Sequence, residues 1–478
     1  MTGSEPTVLQ KPLDDNLNVI MQRFHHTTDL KIRDLQVAHL KASILYIDGL
    51  IDSVRLQESV IRPLLHMSPV ERELIDFIMA SVIEATDVSA TYEFQELSDG
   101  LIQGKAALLL EGYSKAIIVD VAEWKERGIA QPISERAPRG PILGLTEKMT
   151  SNINLLRSFI KTPDLCVETS QLGTLSKTNI SILYIDGVVD QEILKFVQKH
   201  IDSLKVKYVP ESRIVEEALE ARKSLFPLSK TAERPDTVAT SLYEGRVAIL
   251  VDGTPRAIIV PSLFMDNMQA PDDYYTKYGK LSNRLIRFFG FFMAIYTPAV
   301  FVTITMWHRS EIPDAVAKAL LPKGTLLSPI FEMLLLILLF KVLIDITFRL
   351  PQSVVLLVSL VGTITIGDSL VKAKLTHPFA LIIVAVTFLF TFLIANKVLA
   401  AITILRVAFL LIGAFLDFPG IIVGSTLLVF YMVQLKSAGV PYLSPLIPFK
   451  PRELKDTLFR GDLKKLLNSK HSYTTEDD

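Results

Sequence analysis

The sequence predicts a multidomain chain in which a cytoplasmic N-terminal half of two duplicated α/β subdomains is followed by an all-α polytopic transmembrane domain. The ten-residue phrase SILYIDGLID at residues 43–52 returns as SILYIDGVVD at residues 181–190. Only six Asp, Glu, Lys or Arg residues interrupt the apolar stretch between residues 353 and 435. The doubled phrase indicates a repeat, and the apolar stretch is typical of membrane helices.

Two further landmarks support the duplication. GKAALLLEGYSKAIIV from Gly104 matches GRVAILVDGTPRAIIV from Gly245 at eight positions, and NLNVIMQRFHHTTDL from Asn16 parallels NINLLRSFIKTPDL from Asn152. Three landmarks in one order with similar offsets predict a repeated domain. The predicted segments are a first α/β repeat at 1–130, a linker at 131–147, a second α/β repeat at 148–283, a transmembrane helical domain at 284–440 and a cytoplasmic basic tail at 441–478.

Each copy predicts a polar helix, a buried strand ending at Asp-Gly, further helices and a closing hairpin. The strand ends at Asp48-Gly49 or Asp186-Gly187, and the hairpin turns at Glu111-Gly112 or Asp252-Gly253. Glycine after an apolar strand favours a turn, so both aspartates are interpreted as turn residues rather than acids or metal ligands. The Pro- and Gly-rich linker is either a plain connection or a fixed interface between the copies.

Composition and motifs argue against several classes of function. With 50 basic and 51 acidic residues, no global field attracts nucleic acid. The sequence lacks P-loop, HExxH, GxSxG and paired CxxC motifs, and neighbouring His25 and His26 do not suit one metal ion. We therefore predict no enzyme, cofactor or metal. The N-terminus lacks a signal-like apolar run, so the first 280 residues are expected in the cytoplasm.

The membrane half begins where tyrosines and basic residues precede an apolar run, as in a first span entered from the cytoplasm. Pro298 should kink this span and leave a backbone carbonyl for a neighbouring group to satisfy. Six spans would place both termini in the cytoplasm, although five spans or a re-entrant helix remain open. The six apolar runs cover residues 288–306, 326–348, 353–371, 379–396, 398–416 and 418–435.

Charged residues inside the apolar runs are expensive in lipid and must face protein, water or a partner. Lys341, Asp345 and Arg349 share one helical stripe, while Glu332 lies on the opposite face. This stripe is either an interfacial helix end with local ion pairs or an aqueous lining. Arg406 and Asp417 are interpreted as interior pairing or, for the sequence DFPG, an interfacial turn.

A second stripe combines small and polar residues. Gly362, Thr365, Ser369 and Lys372 fall on one helix face with Asp368 beside them. Such a stripe suits close helix packing. It also suits a pore wall in an oligomer, where hydroxyls replace ion hydration and an acidic ring favours cations. Both interpretations stay open.

Several longer motifs resemble one family. APRGPILGLTE, ERPD at Glu233, EGRVAILVDGTP at Glu244, PSLFMDNMQAPDDYY and GVPYLSPLIP from Gly439 are similar to motifs of the A subunits of the spore germination nutrient receptors, the GerA family. Ala137-Pro138 and Leu145 depart from the usual family residues. The resemblance covers nearly the whole chain.

The resemblance implies a multi-pass receptor subunit in the inner membrane of a bacterial spore. Its implied partners are a transporter-like B subunit that holds the nutrient, a lipoprotein C subunit, membrane lipid and further copies of itself in a nutrient-gated ion channel. The alternatives are a secondary transporter or a non-conducting scaffold subunit. A transporter predicts repeats within the membrane half, whereas the duplication lies in the soluble half.

Overall fold

The computed structural model describes most of the chain in two compact units. An α/β unit contains the described residues up to 220 together with 229–261, and a helical unit contains 224–228 together with those from 262 onward. The described residues are 6–67, 74–123, 132, 135, 142–220, 224–269, 282–313, 326–347, 349–351, 354–355, 367–394, 396–451 and 453–456.

The first repeat is a five-stranded antiparallel sheet with strand order β1-β2-β4-β5-β3. Helix α1 (Leu13–Arg23) precedes the first strand pair, and α2 (Phe94–Ile102) precedes the closing hairpin. The strands are β1 Leu30–Val37, β2 Leu40–Ile47, β3 Val88–Thr91, β4 Lys105–Leu110 and β5 Ala116–Asp120. The short helical segments between β2 and β3 are Ser53–Leu56, Gln57–Ile61, Arg62–Leu65, Leu74–Phe77 and Ile78–Val82.

The second repeat has the same strand order, β6-β7-β9-β10-β8. Ser43 lies opposite Leu109 in the first sheet, and Ser181 lies opposite Leu250 in the second. The predicted pair of α/β repeats is therefore confirmed in topology and register. The elements are α3 Met149–Phe159, β6 Leu165–Leu172, β7 Thr178–Ile185, α4 Gln191–Asp202, α5 Arg213–Leu219, β8 Lys230–Ala232, α6 Pro235–Tyr243, β9 Val247–Val251 and β10 Ala257–Val260.

Each repeat fixes its first helix with one buried asparagine. The Asn16 side chain accepts a hydrogen bond from the Gln10 amide (2.8 Å) and donates one to its carbonyl (2.7 Å). Asn152 makes the same two bonds with Thr146, at 2.7 and 2.6 Å. Because a buried amide side chain must find partners, this arrangement explains why both copies keep asparagine there.

The predicted Asp-Gly turns are confirmed. Gly49 and Gly187 have φ of +85° and +73°, a region that residues with a Cβ adopt only under strain. The two glycines differ in their surroundings. A Cβ on Gly49 would lie 2.1 Å from Asn154 Nδ2 of the second repeat, whereas a Cβ on Gly187 would meet no atom within 4 Å.

The repeats are joined by a buried ion pair. Arg157 on α3 donates to both carboxylate oxygens of Asp29 at 2.8 Å, and the Thr27 hydroxyl donates to Asp29 at 2.6 Å. His25 approaches Asp164 (3.5 Å) and Asp186 (3.2 Å) of the other repeat. The interface between the two repeats thus includes Asp186 of a doubled turn, so that turn contributes to the interface as well as to the scaffold.

The helical unit contains five helices among the described residues: α7 Ser282–Trp307, α8 Pro329–Thr347, α9 Gly367–Lys372, α10 Pro378–Phe392 and α11 Leu399–Gln434. Its 3₁₀ segments are Phe264–Met268, Arg309–Glu311, Asn396–Val398 and Glu453–Asp456, and its short strands are β11 Lys436–Ser437 and β12 Val440–Pro441. Helix α11 breaks at Asp417 (φ 55°, ψ −163°), next to Pro419. A Cβ on Gly424 would lie 3.0 Å from Phe409 Cε1, so the two arms of α11 fold back on each other.

Two described helices are long and apolar enough to cross a membrane, Arg284–Trp307 and Leu399–Gln434. The predicted runs 398–416 and 418–435 correspond to the two arms of α11, and the predicted DFPG turn coincides with its break. Helix α8 carries three charged residues, and α10 is a shorter apolar helix. Most of the predicted run 353–371 lies outside the described residues.

The difference between the two turn glycines can be tested with alanine. Gly187→Ala should lower the free energy of unfolding by about 1–2 kcal/mol, because alanine must adopt a left-handed conformation there. Gly49→Ala should lower it slightly further, because its Cβ must also displace the Asn154 side chain. Denaturant unfolding of the purified chain measures both. Adding Asn154→Ala should bring the Gly49 variant to the level of Gly187→Ala, and equal losses for the two single variants would contradict this.

Candidate functional site

The centre of the helical unit is built around a helix carbonyl that lacks its helical donor. Pro298 lies inside α7 and has no backbone N–H, so the carbonyl of Ala294 loses its usual i+4 partner. Arg406 Nε on α11 donates to that carbonyl at 2.7 Å. The predicted kink therefore leaves a carbonyl that a neighbouring helix satisfies, and an intramembrane candidate residue supplies the donor.

Arg406 also reaches the third helix of this core. Its Nη2 donates to the Thr391 hydroxyl (2.5 Å), and that hydroxyl donates to the Thr387 carbonyl on α10 (2.8 Å). The guanidinium carbon lies 4.5 Å from the centre of the Phe388 ring, within cation–π distance. Arg406 is fully buried and no carboxylate of the described residues pairs with it. The arginine thus bridges α7, α10 and α11 through neutral acceptors and a ring.

The break in α11 is satisfied in the opposite direction. Trp307 Nε1 at the end of α7 donates to the Ala414 carbonyl at 3.0 Å, three residues before the break. His308 Nε2 lies 2.8 Å from Asp417 Oδ1 at the break itself. Helix α7 therefore receives a hydrogen bond from Arg406 of α11. Helix α11 in turn has partners in Trp307 of α7 and in His308, which directly follows α7. The interior pairing considered for Arg406 and Asp417 is not made, because the two residues have these separate partners.

Glu332 and Lys341 lie on different faces of α8, one buried and one exposed. Glu332 is 2% exposed and its carboxylate accepts the backbone amide of His377, immediately before Pro378 opens α10. A carboxylate at a helix N-terminus is favoured by the unsatisfied amides and the helix dipole. Glu332 therefore anchors the start of α10 and does not face outward.

The remaining candidates form exposed ion pairs on the helical unit. Lys341 Nζ lies 3.2 Å from Asp345, and Lys372 Nζ lies 2.5 Å from Asp368. These side chains are 48–75% exposed, and Ser369 is also exposed. Among the described residues Asp345 has no ion pair with Arg349, which lies beyond the end of α8.

Gly362 and Thr365, the other two pore candidates, lie outside the described residues. The structure therefore brings together Asp368, Ser369 and Lys372 on α9 and does not test the full stripe.

The α/β unit offers no catalytic arrangement within its described part. No group of three or more His, Cys, Asp or Glu is placed to hold a metal ion among the described residues. Cys166 is buried, and burial raises the pKa of its thiol to about 12. A thiol that stays protonated at neutral pH is a poor nucleophile, so Cys166 serves packing.

The described part of the linker is fixed to the second repeat. The Glu135 carboxylate accepts the backbone amides of Glu233 (2.9 Å) and Arg234 (3.2 Å), directly before α6. Burial raises the pKa of the Glu135 carboxyl, although Lys230 and these amides act in the opposite direction. Leu145 donates its amide to the Glu233 carbonyl (2.7 Å). These contacts hold this part of the linker against the second repeat, and both interpretations, a plain connection and an interface that couples the copies, stay open.

Sequence reasoning missed several residues that hold this core together. Thr391 and Trp307 were not singled out, because a threonine or tryptophan in an apolar helix is ordinary. The available signal for each was a helix interruption elsewhere in the chain, at Pro298 and at the DFPG sequence, which requires a donor from another helix.

Comparisons with known proteins agree in one family. A family profile described as "Bacillus/Clostridium GerA spore germination protein" matches residues 18–472. Spore germination protein KA of Bacillus subtilis (strain 168) is 32% identical over 464 residues, covering 95% of this chain and 85% of that protein. Spore germination protein B1 of the same organism is 29% identical and covers 95% of each chain.

Two further similarities come from other species. Spore germination protein GerLA of Bacillus cereus is 27% identical over 480 residues, covering 98% of this chain and 97% of that protein. The crystal structure of the N-terminal domain of the A subunit of the Bacillus megaterium spore germinant receptor GerK3 is 28% identical, with a TM-score of 0.44, and covers 54% of this chain and 98% of that one.

The arginine–carbonyl contact can be tested with a double-mutant cycle. Arg406→Met should lower the thermal stability of the purified chain, because the Ala294 carbonyl then stays buried without a donor, which costs about 1–3 kcal/mol. Pro298→Ala restores a helical N–H for that carbonyl. The double variant Pro298→Ala/Arg406→Met should therefore lose less than the two single effects added together, by about 1 kcal/mol or more. Additive losses in thermal unfolding would contradict the assignment of Arg406 as the replacement donor.

Proposed function

Because this chain belongs to the GerA family of Bacillus/Clostridium spore germination proteins, we propose that it is the A subunit of a nutrient-gated ion channel. As a germinant receptor subunit it works with a transporter-like B subunit that holds the nutrient and a lipoprotein C subunit. It lies in the spore inner membrane as a multi-pass protein with both termini in the cytoplasm. Nutrient binding on the partner shifts the membrane helices toward an open state.

The observation that carries the channel proposal is two exposed ion pairs, one on the largely apolar helix α8 and one on the short helix α9. Lys341 with Asp345, and Asp368 with Lys372, are at least 48% exposed on the helical unit. A charged side chain in hydrocarbon costs about 2.5–3.5 kcal/mol on insertion scales. These groups therefore need water or another subunit beside them, and copies arranged around an aqueous path supply both.

The apolar surface of α10 supports contact with lipid. Ile382, Val386 and Leu389 lie on one stripe and are exposed, while Val384 and Phe388 are buried on the other side. A helix with one apolar face inside the protein and another apolar face outside suits a bilayer. A relative described as an uncharacterized membrane protein of Bacillus subtilis, 32% identical, is consistent with this location.

The pore proposal predicts an effect of charge removal on ion release. Asp368→Asn and Thr365→Ala should each reduce the rate, or change the cation preference, of ion release from germinating spores, because both remove groups that attract partly dehydrated cations. Asp76→Asn, which removes an exposed acid in the α/β unit, is the matched control. Unchanged rate and selectivity at normal protein abundance would favour a non-conducting scaffold subunit.

The proposal also predicts an oligomer. Among the described residues, the two helices long and apolar enough to cross a membrane are too few for one copy to enclose a pore. Native mass spectrometry of the purified chain in mild detergent should show an assembly of several copies. A chain that stays monomeric across detergents and concentrations would contradict the channel proposal and leave the family role intact.

A further inference from the structure

Residues 224–228 belong to the helical unit although they interrupt the second α/β repeat, and we call them the excursion. Helix α5 before them and strand β8 after them both lie in the α/β unit. The corresponding connection of the first repeat, which leads into β3, stays within the α/β unit. Since the first repeat completes the same strand order without such an excursion, the excursion is not needed to close the sheet.

The tip of the excursion is held firmly by aromatic residues of the helical unit. Phe226 is fully buried, and its ring centre lies 6.5 Å from those of Phe291 and Tyr431 and 5.9 Å from that of Tyr442. The Leu225 amide donates to the Tyr431 hydroxyl at 2.8 Å. Tyr431 lies on the C-terminal arm of α11, so the excursion is fixed to that arm by both packing and a hydrogen bond.

Ser437, on β11 three residues after α11, bonds both places where the chain passes between the two units. Its hydroxyl donates to the Leu228 carbonyl (2.5 Å) and accepts the Ser262 amide (2.8 Å). Leu228 is the last residue of the excursion, and Ser262 is the first residue of the helical unit after β10. Ser437 is 1% exposed, so these bonds are shielded from competing water.

On the α/β side the same two connections start from neighbouring strands. Strand β8 follows the excursion and β10 precedes Ser262, and Lys230 on β8 pairs with Ile259 on β10. The base of the excursion is tied as well, because the Ser229 hydroxyl donates to Glu220 at 3.3 Å. The chain segments next to β8 and β10 are therefore held together, within the helical unit, by the single hydroxyl of Ser437.

We propose that Tyr431 and Ser437 form a coupling joint through which the second α/β repeat controls the C-terminal arm of α11. The first repeat, whose described residues all lie in the α/β unit, acts through its interface with the second. The joint rests on the proposed function, since it carries a nutrient-dependent change to the membrane helices. Its contacts lie within the helical unit, on the two chain segments that continue directly into strand β8 and out of strand β10, as a conformational coupling element requires.

The test compares variants that cut the joint with matched hydroxyl deletions elsewhere. Tyr431→Phe and Ser437→Ala, singly and together, are produced in spores that otherwise lack this chain. The spores are exposed to a mixture of the standard L-amino acids with glucose and K⁺, and cation release and chain abundance are measured. The double variant should keep normal abundance and should release cations at about one tenth of the normal rate, or more slowly still. Thr426→Ala and Tyr243→Phe, whose hydroxyls bond within α11 or within the α/β unit, should match the unaltered chain.

The outcomes separate coupling from folding and from the proposed function. Ser437→Thr keeps a hydroxyl and should retain more release than Ser437→Ala. Unchanged release in the double variant at normal abundance would overturn the joint. The joint would also be overturned if Tyr431→Phe, Ser437→Ala and the double variant each lost abundance in proportion to their loss of release. If spores without the chain release cations as fast as spores with it, the proposed function fails before the joint is tested.

Discussion

The helical unit depends on hydrogen bonds that replace those missing from two interrupted helices. Arg406 on α11 supplies the Ala294 carbonyl freed by Pro298, and Trp307 at the end of α7 supplies Ala414 near the break at Asp417. In a membrane no water is available to do this, so irregular backbone survives only where protein groups satisfy it. The two helices thereby require each other, and Arg406 adds α10 through Thr391.

The α/β unit follows a different principle, in which repetition provides the scaffold and divergence provides the connections. Both copies keep the buried asparagine that fixes the first helix and the left-handed glycine turns, which the fold needs. The copies differ at Arg157, which pairs with Asp29 of the other repeat, and at the excursion that leaves the second repeat. In a duplicated fold we expect functional residues at positions where the two repeats differ, because folding alone explains the features that both repeats share.

Local chemistry decided which features could be predicted from the sequence. The Asp-Gly turns and the break at DFPG follow from the backbone conformations of glycine and proline, and the carbonyl freed by Pro298 follows from a missing N–H. The identity of its donor could not be predicted, since Arg406 is 112 residues away from Ala294. The edge strands β1 and β6 were missed, because polar residues dominate their exposed positions. The excursion was missed for a similar reason, since FPLS around Pro227 resembles an ordinary surface turn.

The interleaved course of residues 224–228 means that the helical unit is not one continuous stretch of sequence. A fragment beginning at Ser262 would lack Phe226 and leave a gap among the rings of Phe291, Tyr431 and Tyr442. A chimaera of two relatives joined at Ser262 would combine Phe226 of one protein with the three surrounding rings of the other. Phe226 and the three rings around it should therefore covary across the family, and chimaeras should assemble well only where these four positions come from compatible parents.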